Sequence, residues 1–233
     1  MTSQQFLDNY KITGFDKVEG WCEQKLFDVI SLLDSVEINK AGGCLEIGVH
    51  HGKFYILLNS VINESFKSFA LDVFENQSLN IDGSGCGNLE AFKHNLIKYD
   101  RHKGSNTEIV IGDSTDLKVM SLFDDKRAHF RFISIDGGHT AEHTVSDLRL
   151  SNELIANDGI VILDDILNYH WLGVIEGAVS FLNQKPTLVP IAIGFNKLIF
   201  SKLSYSSLYF DLFNKSNLRS KVVSFFGHQV VAL

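Results

Sequence analysis

The sequence predicts an α/β fold in which a mostly parallel, seven-stranded sheet carries helices on both faces and ends in an antiparallel hairpin. Three observations lead there. Between Gly43 and Leu203, short β-branched or aromatic runs alternate with longer stretches of helical period, the pattern of parallel strands joined by crossover helices. The short runs are nearly all apolar, as strands covered on both faces must be. After the fifth of them, the pattern changes to two runs around a tight turn.

In chain order, Trp21–Val36 places Leu26, Val29, Ile30 and Leu33 on one stripe, predicting a leading helix that packs on the sheet or on another subunit. Strands are expected at Cys44–Val49, Phe66–Val73, Glu108–Ile111, Phe130–Ile135 and Ile160–Leu163. The segments Lys53–Ile62, Leu89–Tyr99, Asp116–Phe123 and Ala141–Ile155 between them space their apolar residues as helices do. Leu188–Gly194 and Lys197–Leu203, either side of Phe195-Asn196, predict the hairpin that closes the sheet. Residues 204–233 carry Tyr205, Leu208, Tyr209, Leu212 and Phe213 at helical spacing, then Val222-Val223 and Val230-Val231, and predict a cap on the sheet edge or a subunit contact. One domain is expected, with residues 1–40 a helical lead, 41–203 the core and 204–233 the cap.

Of 233 residues 45% are hydrophobic and 21% charged, a globular composition, and the net charge of -7 gives no general support for binding nucleic acid phosphates or an anionic membrane. Cys22, Cys44 and Cys86 are scattered without a C-x-x-C pair, which suggests neither a disulfide framework nor a cysteine zinc site and points to a reducing cytosol. The start lacks the basic and apolar run of a secretory signal, and no apolar run is long enough to cross a bilayer.

In an open parallel sheet ligands bind beyond the carboxyl ends of the strands, so the residues ending each strand are the candidates. The first strand runs out through Glu46, Gly48, His50, His51 and Gly52. Its two glycines, four apart, do not make the G-x-G-x-x-G of dinucleotide folds, and Glu46 suits a cofactor with a cationic amino group better than a pyrophosphate. His50 and His51 either touch cofactor or substrate or are simply exposed. Asp72 ends the second strand, where a carboxylate can accept from both ribose hydroxyls. Asp113 and Ser114 follow the third, placed either to border an adenine or, for Asp113, to cap the next helix.

The next two strand ends read Asp136-Gly137-Gly138-His139 and Asp164-Asp165. Three carboxylates on one rim repel one another unless a cation neutralises them, and oxygen ligands suit Mg²⁺, Mn²⁺ or Ca²⁺ rather than zinc. Beside such an ion His139, with an ordinary pKa near 6.5, is a candidate general base, while His143 one turn on supports the helix face. The glycine-rich stretch Asp82–Asn88 reads as a loop near the site.

Taken together, Leu45–Gly52, Leu71–Phe74, Gly112-Asp113-Ser114, Ile135–Thr140 and Ile162–Asp165 resemble the class I S-adenosylmethionine-dependent methyltransferases. More narrowly, they are similar to the metal-dependent sugar O-methyltransferases of the macrocin and mycinamicin type. The resemblance spans Trp21 to Leu203 and implies their Rossmann-like fold. It also implies that Glu46, Gly48 and Gly52 frame the methionine end of the cofactor, that Asp72 holds its ribose, and that Asp113, Ser114 and Asp136 lie along it. Asp136, Asp164 and Asp165 would bind Mg²⁺, with Asp164 departing from a glutamate found in macrolide-sugar members. His139 would deprotonate a metal-chelated diol of a sugar-containing small molecule, in a protein that can be a homo-oligomer.

Two rivals stand beside that reading. A catechol or other phenol also offers a chelating diol, and Phe74, Tyr169 and Trp171 either wall an aromatic pocket or belong to the core. A non-catalytic methyltransferase-like domain would bind a nucleoside or a partner without turnover. Hydroxylation would need a redox-active metal, for which no ligand set is evident.

Overall fold

The computed structural model describes residues 2–38 and 40–233. Helices α1 (Ser3–Thr13) and α2 (Leu26–Asp34) precede an alternation of β1 (Gly43–Ile47), α3 (Lys53–Asn59), β2 (Ser68–Asp72), α4 (Leu89–Tyr99), β3 (Thr107–Ile111), α5 (Leu117–Ser121), β4 (Phe130–Ile135), α6 (Ala141–Leu154), β5 (Ile155–Leu163) and α7 (Leu172–Leu182). The chain then forms β6 (Leu188–Gly194), β7 (Lys197–Lys202), α8 (Ser206–Lys215), β8 (Lys221–Phe225) and β9 (His228–Ala232).

All nine strands join one sheet in the order β3-β2-β1-β4-β5-β7-β6-β9-β8. The first five are parallel, and β7 enters antiparallel to both β5 and β6. The expected seven strands are therefore present and two more extend them. β9 pairs parallel with β6, and β8 pairs antiparallel with β9. Val230 and Val231 are buried in this extension, whereas the two valines of β8 are only half-buried, as suits an outermost strand. An apolar pair alone does not say whether a segment caps an edge or pairs with it.

Two smaller differences have local causes. β5 begins at Ile155, where helix was expected to reach, because the β4–β5 register jumps from Phe130↔Ile155 to Phe132↔Ile160 and absorbs the extra residues as an irregularity. α1 is set by Thr2, whose hydroxyl accepts from Gln5 N while the Gln5 side chain accepts from Thr2 N, a reciprocal cap on a segment with little apolar periodicity.

The strands bury alternate residues on opposite faces. Cys44, Ala70, Phe132, Ile160 and Ile162 pack with α1, α2, α3 and α8, and all four stripe residues of α2 are buried there. Leu45, Ile47, Leu71, Ile133, Ile135, Val161 and Leu163 face the other way and pack with α6 and α7. The same alternation sets which way each acidic residue at the strand ends points. No helix of the described residues is long and apolar enough to cross a membrane, and the three cysteines are free thiols.

Candidate active site

β1 lies between β2 and β4, so the connections leaving β1 and β4 run to opposite sides and open a crevice at their carboxyl ends. Backbone bonds continue the pairing past the strand ends, from Gly48 N to Leu71 O (2.8 Å), Asp136 N to Ile47 O (2.7 Å) and Asp164 N to Ile135 O (2.9 Å). They hold the end residues level around a cavity of about 740 Å³. Gly48, Asp72, Asp113, Ser114, Asp136, His139, Asp164 and Asp165 all line it, together with both tryptophans of the chain, Trp21 and Trp171.

Glycine at 48 is required by the protein itself. Its φ is +84°, and a Cβ there would lie 1.8 Å from the carbonyl oxygen of Asp136. Gly52, the αL residue before α3, faces the Phe92 ring rather than the cavity, and a Cβ there would come within 2.7 Å of that ring. Glu46 is 2% exposed and points to the α3 face beneath the cavity floor, where Oε2 has no hydrogen-bond partner. Burial, reinforced by Asp136, pushes its carboxyl well above the usual range.

On the β2 and β3 side, each carboxylate is satisfied by nearby backbone. Asp72 Oδ2 accepts from His50 N (2.7 Å) and Oδ1 from Phe74 N (2.6 Å). Each oxygen retains a lone pair for a further donor. Burial raises this carboxyl, and those backbone bonds partly offset it. Asp113 Oδ1 accepts from the amide and the hydroxyl of Thr115, both at 2.8 Å, and lies 3.4 Å from His143 Nε2. The cap of α5 is Asp116 instead, which accepts from Lys118 N. Below Ser114 the carboxyl of Asp147 is buried without a hydrogen-bond partner in the structure, and burial pushes it up to about 7.

On the β4 and β5 side charge is dense, and the two adjacent acids part company. Asp164 continues the face of Ile162 and points down toward α3, where its Oδ2 pairs with the buried ammonium of Lys197. Burial disfavours that ammonium, but Asp164 and Asp136 outweigh it and hold Lys197 firmly charged, with the Phe54 ring 4.9 Å away. Burial pushes Asp164 upward against the pull of Lys197. Asp165 takes φ +59° and leaves the strand toward the cavity, with Oδ1 accepting from Asn168 Nδ2 (2.8 Å) and Asn196 Nδ2 (2.6 Å). Burial pushes its carboxyl up, but His139 and these amides more than offset that and lower it.

His139 stands at the centre. Its Nδ1 lies 2.8 Å from Asp82 Oδ2, and its Nε2 lies 2.9 Å from Asp165 Oδ2 and 3.8 Å from Asp136 Oδ1. Asp136 Oδ1 lies beyond hydrogen-bonding distance and Asp165 Oδ2 makes no directed bond with the ring N–H, so Nε2 is buried without a hydrogen-bond partner. The Trp171 ring stacks on the imidazole at 4.5 Å. Burial works against the charged imidazolium, yet Asp136, Asp165 and Asp82 outweigh it and raise its pKa to about 10. The imidazolium thus shares with Lys197 the balancing of these acids.

Asp136, His139 and Asp165 bring one ligand atom each within 4.8 Å of one another. A second such group, Glu19, His50 and His51, lies around the first glycine turn, with Glu19 Oε2 3.5 Å from His51 Nδ1. Of the predicted trio, Asp136 and Asp165 bring ligand atoms together with His139, while Asp164, which also lines the cavity, pairs with Lys197. Sequence reasoning missed Asp82, Asn196, Lys197 and Asp147. The first lay in a loop marked only as near the site, and Asn196 and Lys197 were read as hairpin residues. Of the aromatic candidates, Trp171 lines the cavity, Phe74 is core and Tyr169 is 78% exposed.

A family model described as a methyltransferase domain matches residues 45–166. Similar solved structures include the O-methyltransferase NovP (14% identity, 86% of this chain and 99% of that chain, TM-score 0.67). The O-methyltransferase TomG from Streptomyces achromogenes, involved in tomaymycin synthesis and solved with S-adenosylmethionine, is 15% identical over 85% of this chain and 86% of that chain, with TM-score 0.57. CalS11, a TDP-rhamnose 3'-O-methyltransferase in calicheamicin biosynthesis, is 14% identical over 85% and 92%, with TM-score 0.52. No curated protein matches the chain significantly.

Proposed function

From the premise that this chain belongs to the methyltransferase domain family, we propose that it transfers the methyl group of S-adenosylmethionine to a hydroxyl oxygen of a small, sugar-containing acceptor. One observation carries the reading. One cavity has carboxylates held mainly by local backbone amides along one wall and His139 with two carboxylates on the other. The first wall suits a nucleoside, and the second suits the handling of a proton. That similar folds are O-methyltransferases, one of them acting on a sugar nucleotide, favours oxygen and a sugar as the acceptor.

The residues present fit the cofactor. The spare lone pairs of Asp72 can accept from ribose hydroxyls. Gly87 passes so near that a Cβ would lie 2.9 Å from Asp72 Oδ1, so its lack of a side chain keeps that carboxylate clear. Asp113 and Ser114 offer an acceptor and a hydroxyl to an adenine edge, with Gly48 and Asp136 along the path between. Glu46 acts from below the floor, by shaping the buried charge rather than by contact. When bound, the sulfonium supplies an electrophilic methyl carbon.

An oxygen-preferring divalent cation such as Mg²⁺ also fits, at Asp136 and Asp165, with Asp164 held behind them by Lys197. Its charge would favour the ionised form of a nearby hydroxyl. His139 is placed to take the proton of that hydroxyl at Nε2, the buried atom left without a directed partner. The imidazolium accepts only after losing one ring proton to solvent, and a cation held by Asp136 and Asp165 would favour that loss by offsetting the carboxylates that keep the ring charged. Trp171 and the walls from β4 and β5 exclude water from the imidazole, whose side chain is 8% exposed.

Calorimetric titration of S-adenosylmethionine with and without Mg²⁺, followed by methyl transfer to sugar diols, aminosugars and catechols, tests the reading. Cofactor binding with metal-stimulated transfer to a sugar hydroxyl is expected. Preferred transfer to catechol moves the acceptor class, and absent cofactor binding under both conditions overturns the function.

A further inference from the structure

Asp82 comes from a loop 57 residues before His139 and meets it in a way that no strand-end argument anticipates. One oxygen, Oδ2, accepts from both His139 N (2.7 Å) and Nδ1 (2.8 Å), while Oδ1 accepts from Ser84 N (2.8 Å). Burial pushes the Asp82 carboxyl up, but hydrogen bonds from His139 and Ser84 outweigh this and bring it to about 2. An ionised carboxylate only accepts, so the hydrogen on that side of the imidazole sits at Nδ1. A half-turn of the ring would put a carbon where Nδ1 is and lose the bond, and Trp171, stacked within 16° of parallel, hinders the turn.

The loop is built to deliver this carboxylate. Asn80 Nδ2 donates to Ser84 O and Gly85 O (both 3.1 Å), and Asn80 Oδ1 accepts from Gly83 N (3.1 Å). Gly83 and Gly85 take φ +69° and +63°, which a side chain would resist. Further along, Gly87 passes the Asp72 carboxylate, so the same loop borders the ribose-binding candidate and holds the imidazole.

We propose that Asp82 is a positioning residue, fixing His139 with Nδ1 as donor so that Nε2 faces the transfer site; this rests on the methyltransferase reading above. The arrangement follows the logic of an acid that orients a histidine base, here with acid and base brought together by a glycine-rich loop. A carboxylate that served only to fold the loop would change the cavity and therefore cofactor affinity. One that positions the base changes turnover and leaves affinity alone.

The test compares wild type, Asp82→Asn and Asp82→Ala, each saturated with S-adenosylhomocysteine after calorimetry, by ¹⁵N NMR of the histidine rings with His139→Gln to assign the signal. Wild type and Asp82→Asn are expected to show a hydrogen-bonded Nδ1–H at His139, and Asp82→Ala to lose that hydrogen-bonded signal. Cofactor affinity should stay within about twofold, and kcat for methyl transfer should fall at least about tenfold in Asp82→Ala with partial rescue in Asp82→Asn, less than the roughly 10²–10⁴ a general base supplies. An unchanged His139 signal in Asp82→Ala, or a loss confined to cofactor affinity, overturns the proposal. Failure of the wild type to bind S-adenosylhomocysteine would instead overturn the methyltransferase reading, and the NMR comparison on the free protein would still decide the role of Asp82.

Discussion

The two walls of the cavity are built on different physical terms. Along β2 and β3, Asp72 and Asp113 draw their hydrogen bonds from residues within the next few positions or from the adjoining strand end, with His143 3.4 Å from Asp113. Along β4 and β5, four carboxylates are balanced by two side chains, and the pairs join residues 33 and 57 apart in sequence. The first wall is an acceptor surface whose charge is diluted by backbone amides. The second is a compact charge network in which removing one member leaves another exposed to the full cost of burial. The contrast predicts that substitutions on the first wall weaken binding, whereas those on the second disturb chemistry or folding.

The largest separation should come from His139→Ala, which removes the centre of the network from the transfer step. Turnover is expected to fall by roughly 10²–10⁴ with cofactor affinity nearly unchanged, as read by steady-state rates beside calorimetry. Equal losses in both would erase the distinction between the walls. Lys197→Met should come next, because it strands Asp164, which is 8% exposed, without its cation. Removing one partner of a buried pair costs about 3–5 kcal/mol, and thermal unfolding should show the loss. Adding Asp164→Leu to that variant should recover much of the stability, and failure to do so would mean that the pair matters for more than its charge balance.

Asp72→Ala tests the quieter wall. Hydrogen bonds to a charged acceptor contribute about 1.5–3 kcal/mol, so cofactor affinity should fall about 10- to 100-fold while the metal response is kept. A further test is the pH dependence of the clamp around His139. Its pKa is raised from 6.5 to about 10, so the stability it adds is complete below about pH 6.5 and is lost as pH rises through 10. Asp82 is lowered from 3.8 to about 2, so its share is present above about pH 3.8 and is lost as pH falls through 2. In metal-free protein the difference in melting temperature between wild type and His139→Gln should therefore be greatest between about pH 4 and 6.5 and shrink toward pH 10. A difference that grows with pH would contradict the charged state of the imidazole.

Much of this architecture could be read from the chain. The five parallel strands, the β6–β7 hairpin and the α2 stripe follow from apolar periodicity, which burial enforces locally. Strand ends such as Asp72 and Asp136 could be named as site candidates because the topology brings every carboxyl end to one rim. The last two strands were not legible, since a short valine-containing segment can cap a sheet or join it with the same sequence.

Which residues reach the rim is written locally in the chain, because period-two strands and crossover helices leave little choice. What each of them does there depends on which distant segment folds against it. Adjacent residues on a strand face opposite ways, so Asp164 falls to Lys197 below while Asp165, with its left-handed backbone, turns to the cavity. Likewise the partner of His139 is Asp82, and the carbonyl that requires glycine at position 48 belongs to Asp136. Each of these is a contact between distant segments, fixed by how the loops close over the sheet, and local patterning along the chain carries no record of it.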